Sequence, residues 1–336
     1  MPRLTRVRRG LSLVEIMVAL VLLGIVSGVI MRVVQRQQRF YQGVNQIVVQ
    51  RSQLRQATSV LPIDLRGLSS VGNDILVASD SSIVFNVTVG TGVVCELSGN
   101  SAVAMPPEVL ANDQNITSWY GYGKPDPKNK PKSAYTVYIY NDSSSLGNQD
   151  DVWQPFTLAD VTGDKTKCVG GATPFTTIGD VGKERPVLTL KNPTGVPNDP
   201  VTGGPLSQYV GVGAPVRIVK QVRYKLFKAS DGKWYLGYSD YNATTSDFDP
   251  LSPVSGPYDA YSTSSSGTGI GFRYYDVDGN EIASGAGPTD RAKIARVDLI
   301  ARARTSSNVR AAGFQNGANQ QYKDSLAVSV MLRNRN

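Results

Sequence analysis

The stretch from Leu11 to Met31 constrains this chain more than any other. It is almost unbroken in apolar residues and about 21 residues long, enough to cross a hydrocarbon core at about 1.5 Å per residue. A leader, Met1 to Gly10, precedes it with four arginines and no acid. By the positive-inside rule the leader stays cytoplasmic and the bulk of the chain lies across the membrane. One carboxylate, Glu15, sits inside the run, five residues past Gly10. A charge at mid-span costs roughly 2.5–3.5 kcal/mol, so Glu15 calls for a partner or a function. A conventional secretory signal has a shorter apolar core that ends in small residues before the cut. A plain anchor accounts for length and orientation but not for the string Gly10-Leu11-Ser12-Leu13-Val14-Glu15.

The helical pattern continues past the apolar run. From Arg32 to Leu61 the chain is rich in Gln and Arg, yet Val33, Phe40, Ile47, Leu54 and Leu61 recur every seven residues, with Val44 and Val48 beside them. That is a helix period. Gly43 is its expected weak point and Pro62 its expected end or kink. A helix from Leu11 to Leu61 would be about 75 Å long.

After Leu68 the composition turns to Gly, Pro, Ser, Thr and Asn, which favours strands and loops. Strands are expected at Ile75–Val77, Ser82–Val87, Tyr135–Tyr140, Pro215–Leu226, Trp234–Tyr238, Ile270–Tyr275, Ile294–Arg302 and Ser325–Asn334. Asp231-Gly232 and Asp278-Gly279 mark two hairpins. Three polar segments, Lys124–Lys132, Asn141–Asp151 and Lys191–Pro205, read as surface insertions on a sheet. The organisation expected is α+β: leader 1–10, transmembrane helix 11–31, amphipathic continuation 32–68, and a β-rich, mainly antiparallel head over 69–336.

Composition narrows the chemistry. The chain has no histidine, which removes Ser-His-Asp and Cys-His catalysis and every histidine-ligated metal site. Of the net charge of +8, four charges lie in the leader, and the half that remains is an ordinary surface bias that gives nucleic-acid binding weak support. Cys95 and Cys168 are the two cysteines; outside the cytoplasm they read as one disulfide, the alternative being two unpaired buried thiols. Asp276-Val277-Asp278-Gly279-Asn280-Glu281 invites a calcium reading, but its glycine falls fourth where an EF-hand loop needs it sixth, and a plain turn is the simpler account. Tyrosine pairs at Tyr120/Tyr122, Tyr138/Tyr140 and Tyr274/Tyr275 can stack bases, but in a β-rich head such residues more often line the sheet. No P-loop, nucleophile elbow or dinucleotide fingerprint occurs, so no catalytic residue, metal ligand set or cofactor is assigned.

The Gly10–Glu15 string, with its basic and apolar flanks, resembles the class III signal of type IV prepilins and type II secretion pseudopilins. The resemblance implies that a membrane prepilin peptidase cuts between Gly10 and Leu11 and methylates the new terminus. It also implies that Glu15 serves assembly by neutralising the N-terminal ammonium of a neighbouring subunit. Leu11 departs from the family's usual phenylalanine. Arg32 stands where a helix-breaking proline is usual, and Gly24 and Gly28 interrupt the run instead. Asp64-Leu65-Arg66, the Phe272-Arg273-Tyr274-Tyr275-Asp276 hairpin, Val297-Asp298-Leu299 and the closing Val330-Met331-Leu332-Arg333-Asn334 resemble the W-type minor pilins of type IV pili and the J-type pseudopilins of type II secretion. The middle, roughly residues 73–213, lies outside that resemblance. It implies a non-enzymatic, single-pass inner-membrane protein with a periplasmic head, which enters a pilus or pseudopilus in a priming or tip role. Its partners would be other pilin subunits, the prepilin peptidase and the membrane. Two other classes stay open: a tip binding module (adhesin or DNA receptor) that uses the middle region, and a membrane-anchored secreted enzyme. The expected mature terminus is N-methyl-leucine at Leu11, which mass spectrometry of the N-terminal peptide reads directly; a terminus at Met1 or near Ser27 would contradict it.

Overall fold

The computed structural model describes residues 13–70, 72–99, 101–119, 135–141, 152–169, 173–191, 206, 210–263, 267–309 and 320–332. The expected cut at Gly10 and Leu11, the segment Lys124–Lys132, Tyr120 and Tyr122, and all but the first residue of the two insertions that start at Asn141 and Lys191 lie outside the described residues.

The first element, α1, runs from Leu13 to Arg66 as one helix of 54 residues. It does not stop at Pro62. The proline forfeits one ladder bond and in a helix interior costs about 3 kcal/mol. Leu61, Leu65 and Leu68 around it are fully buried. Burying such side chains stabilises by about 1.5–3 kcal/mol each, so packing carries the helix on to Arg66. The expected stripe also needs correction. Val33, Phe40, Val44 and Val48 are exposed, whereas Leu54 and Leu61 are buried. The buried line runs through Gly43, Gln50, Leu54, Ala57, Leu61, Leu65 and Leu68, with Ile47 half-buried. Its steps of three and four residues are those of a helix face.

Two compact units divide the chain: the helix up to Ser52 with Ala303–Asp324, and Gln53–Arg302 with the residues from Ser325 onward. In the first unit Gly43 is a contact point. A Cβ built there would meet the Cβ of Val309 at 3.5 Å. Gln50, buried, donates to the Ala303 carbonyl at 2.5 Å. Arg51 donates to Asp324 Oδ2 at 3.2 Å and to the Tyr322 hydroxyl at 2.9 Å. Backbone bonds from Thr305 N to Tyr322 O and from Val309 N to Gln320 O, at 2.9 and 3.0 Å, hold the chain segments of this unit together.

The strands of the second unit begin with β1 (Ile75–Ala78), β2 (Ser82–Val93), β3 (Glu96–Ser98), β4 (Ala102–Ala104) and β5 (Ser118–Trp119). There follow β6 (Tyr135–Asn141), β7 (Val152–Asp164), β8 (Arg185–Lys191), β9 (Pro215–Lys228), β10 (Trp234–Asn242), β11 (Asp247–Phe248) and β12 (Ser252–Tyr258). These form one sheet ordered β1-β2-β9-β6-β7-β8-β4-β3, with β5 beside β2 and β10–β12 branching from β9. A second sheet is ordered β14-β13-β15-β16, where β13 is Ile270–Tyr275, β14 Glu281–Ile282, β15 Arg296–Arg304 and β16 Lys323–Met331.

Strand β9 is the spine of the larger sheet. Along one edge it pairs antiparallel with β2, Val222 opposite Phe85. Along the other it serves β6 up to Lys220, then β10 from Val222 onward. Its inward residues Ile218, Val222, Tyr224 and Leu226 are buried. The turn to β10 places Gly232 at φ 79°, a left-handed conformation that glycine adopts without strain. A buried ion pair anchors the opposite end: Asp74 accepts from Arg217 Nη2 at 2.8 Å, Arg217 Nη1 at 3.2 Å and the Ser69 N–H at 2.7 Å. Burial pushes the Asp74 carboxyl above its usual range, and Arg217 opposes that push.

The middle of the chain supplies the strands that the sequence hides. The structure joins Cys95, just past β2, to Cys168, just past β7, with Cα atoms 5.7 Å apart. Both are buried against Ala104 and Val187. Glu96 clamps the same corner, accepting from the Cys168 N–H at 2.6 Å and from Lys167 Nζ at 3.1 Å. Beyond it, the fully buried Arg185 donates to the carbonyls of Asp180 at 2.7 Å, Lys165 at 3.0 Å and Lys183. The Asp180 carboxylate, also buried, accepts from Ala111 N at 2.6 Å, Thr177 N at 2.8 Å, Thr177 Oγ1 at 2.9 Å and Lys183 Nζ at 3.2 Å. Burial pushes this carboxyl up, but the N–H groups of Thr177 and Ala111, with the Thr177 hydroxyl and Lys183, outweigh it and hold it at about 2.

A folded value of about 2 lies below the ordinary 3.8, so the stability Asp180 contributes is complete above pH 3.8 and is lost as pH falls towards 2. Asp180→Ala removes the buried acceptor of two part-buried N–H donors and is expected to cost about 1–3 kcal/mol at neutral pH. Denaturant unfolding of wild type and variant should show that gap narrowing as pH drops through the same window.

Candidate functional site

The apolar N-terminal part of α1 is the first candidate. Every residue from Leu13 to Gln42 is exposed, and the span is long and apolar enough to cross a membrane. Lone leucines on a surface are ordinary, but a helix apolar all round needs lipid or other helices around it. Glu15 lies in the first turn, where the free N–H groups and the helix dipole favour a carboxylate. No ion pair among the described residues involves it. Gly24 and Gly28 fall on one face, and a Cβ at either would meet nothing within 4 Å among the described residues.

The second candidate is the end of the helix. Asp64 is buried and accepts from the Tyr224 hydroxyl at 2.7 Å; Leu65 is fully buried and Arg66 is exposed. Tyr224 in turn stacks on Phe85 at 5.9 Å and meets Tyr238 edge-on at 5.3 Å. Asp64-Leu65-Arg66 is thus a junction between the helix and strand β9, not a surface ion pair. Nearby, the Tyr258 hydroxyl donates to the Gln53 carbonyl at 3.0 Å. The sequence singled out Asp64 but gave no sign of Tyr224, which lies 160 residues away.

The acidic hairpin loop closes on itself. Asp276 Oδ1 accepts from the N–H groups of Asp278 at 3.0 Å and Asn280 at 2.8 Å, and Oδ2 accepts from Asn280 Nδ2 at 3.0 Å. The Asn280 side chain holds the Asp276 carboxyl below its usual range. Among the described residues no three Asp, Glu or Cys side chains converge to hold a metal. The described tyrosines are likewise engaged internally. Tyr274 is buried and donates to the Ser79 carbonyl at 2.8 Å. Tyr275 lies 4.0 Å beneath the Arg296 guanidinium. Tyr138 bonds Asp240, and Tyr140 meets Trp153 edge-on at 5.4 Å.

A long apolar helix followed by a mostly antiparallel β-rich head is a pilin-like α+β architecture. Residues 5–31 match the family model for the prokaryotic N-terminal methylation motif, the type IV prepilin signal. No curated protein and no solved structure matches the chain. The motif and the exposed helix together fit anchoring in an inner membrane with a soluble head.

Tyr224→Phe removes the hydroxyl that the buried Asp64 carboxylate accepts from. Urea unfolding should show a loss of about 1.5–3 kcal/mol, the range for a hydrogen bond to a charged group. Asp64→Asn keeps an acceptor for the same hydroxyl and should lose less.

Proposed function

We propose that the chain is a minor pilin or pseudopilin that takes part in assembling or priming a type IV pilus or type II secretion pseudopilus, at or near its tip. The match of residues 5–31 to the methylation motif carries this reading. In it, a prepilin peptidase cuts after Gly10, Leu11 becomes the methylated terminus, and the head stands in the periplasm on a single membrane helix. The work is assembly and not catalysis. The exposed apolar face of α1 exchanges lipid for the helices of neighbouring subunits, and Glu15 meets the positive terminus of one of them. The desolvation cost of the carboxylate then acts as a selector, because only a neighbour placed to supply the ammonium relieves it. A head with so broad a sheet is easier to place at a filament end than to repeat along its length, which favours the tip.

Glu15→Ala should leave cleavage and membrane insertion intact and cut incorporation into filaments at least about tenfold, the factor that about 1.4 kcal/mol corresponds to. Glu15→Asp, which keeps the charge but shortens its reach, should fall between. Quantitative immunoblots of sheared filaments against membranes read both. Assembly of the alanine variant at the wild-type level would sink the proposed role of Glu15.

A further inference from the structure

The face of α1 that meets Ala303–Asp324 changes character towards the membrane. Gly43 and Gln50 line it below. One, two and three turns nearer the apolar run the same face carries Arg39, Arg36 and Arg32, at spacings of three and four residues. Arg36 and Arg39, with Gln42, Gln46, Ser307 and Asn308, line a cavity of about 750 Å³ within this unit. Among the described residues no carboxylate pairs with any of the three arginines. Nor can nearby sequence supply one. From Ile16 to Ser52 the chain has no acid, and from Ala303 to Lys323 it has none either; Asp324, the next, is bonded to Arg51. The rest of the mature chain, by contrast, is close to neutral.

We infer that this face is a site for the phosphate of an anionic phospholipid headgroup in the outer leaflet of the membrane that α1 crosses. The inference rests on the reading of Leu11–Met31 as a span. Arg32, Arg36 and Arg39 then lie about 1.5, 7.5 and 12 Å beyond its last residue, across a headgroup layer some 5–7 Å thick on each side of the bilayer. Side chains on a helix tilt towards its N-terminus, which here is the membrane, so the Arg36 and Arg39 guanidiniums lean back into that layer. A guanidinium binds phosphate through paired N–H donors, and the amides of Gln42, Gln46 and Asn308 add neutral donors for the remaining oxygens. The same charge opposes the positive-inside bias of the leader, so a counter-charge on the outer face offsets a cost that the bare chain would bear.

The test uses the processed full chain, purified in a neutral detergent with an equimolar mixture of phosphatidylglycerol and phosphatidylcholine, and native mass spectrometry of the lipid retained. Selective retention of phosphatidylglycerol is expected, with Arg36→Gln/Arg39→Gln lowering it about 30-fold and Arg55→Gln, further down the helix, leaving it unchanged. Equal retention of the two lipids, or an unaffected double variant, overturns the inference. So does full displacement by millimolar inorganic phosphate, which would make this a free-anion site. Carbonate extraction of cell membranes separates the failures. A chain released from the membrane refutes the span and this site with it, whereas a chain retained without lipid selectivity refutes the site alone.

Discussion

Leu54, Ala57, Leu61 and Leu65 fall on one line of α1, with Leu68 just past its end, and all five are buried in the unit from Gln53 to Arg302. The line decides where the helix ends, because its burial outweighs the proline in its midst. It also decides how β9 is placed, because Asp64 sits on the same face and takes the hydroxyl of Tyr224. From Tyr224 the aromatic contacts run sideways to Phe85 on β2 and Tyr238 on β10. One helix face is thereby linked, through Tyr224, to side chains of three neighbouring strands, β2, β9 and β10. A polar atom at Asp64 costs little there only because its partner is fixed by packing on both sides.

The two ends of the helix face different solvents, and the residues record it. Past Ser52 Leu54, Ala57, Leu61 and Leu65 are buried while Arg55 and Arg66 are exposed; from Leu13 to Met31 the apolar side chains are exposed all round. Between them, from Arg32 to Ser52, glutamine and arginine are frequent, and of this stretch only Gly43 and Gln50 are buried.

Much of this was legible from the residues. The apolar run, the glutamate and the seven-residue period gave the helix, and the paired Asp-Gly turns gave the hairpins β9–β10 and β13–β14. Two cysteines and no others left a single pairing to consider. The misses share a cause: each depends on what comes near from far along the chain. Gly43 reads as a flaw in a helix until Val309 is seen beside it. Val33, Phe40, Val44 and Val48 keep the period but stay exposed, so periodicity alone does not predict their burial. Strand β7 carries Pro155 and Gly163, which read as breakers. Pro155 lies opposite Tyr138 of β6, and Gly163 is crossed closely by the Glu184 side chain, so both positions have a place in the sheet.

The covalent link between Cys95 and Cys168 encloses a stretch of 73 residues in which the connections on either side of β6 lie. In the chain-entropy picture such a closure contributes about 4 kcal/mol, and each doubling of a loop's length changes the cost of closing it by only about 0.6 kcal/mol. Insertions and substitutions in those connections are therefore thermodynamically cheap, since the corner that holds β3, β4 and β8 in the sheet is fastened by a bond indifferent to them. The closure therefore leaves the lengths of those connections free to change, while the strands they join, with Val137, Ile139, Phe156 and Leu158 buried in the core, stay bound to their places in the sheet.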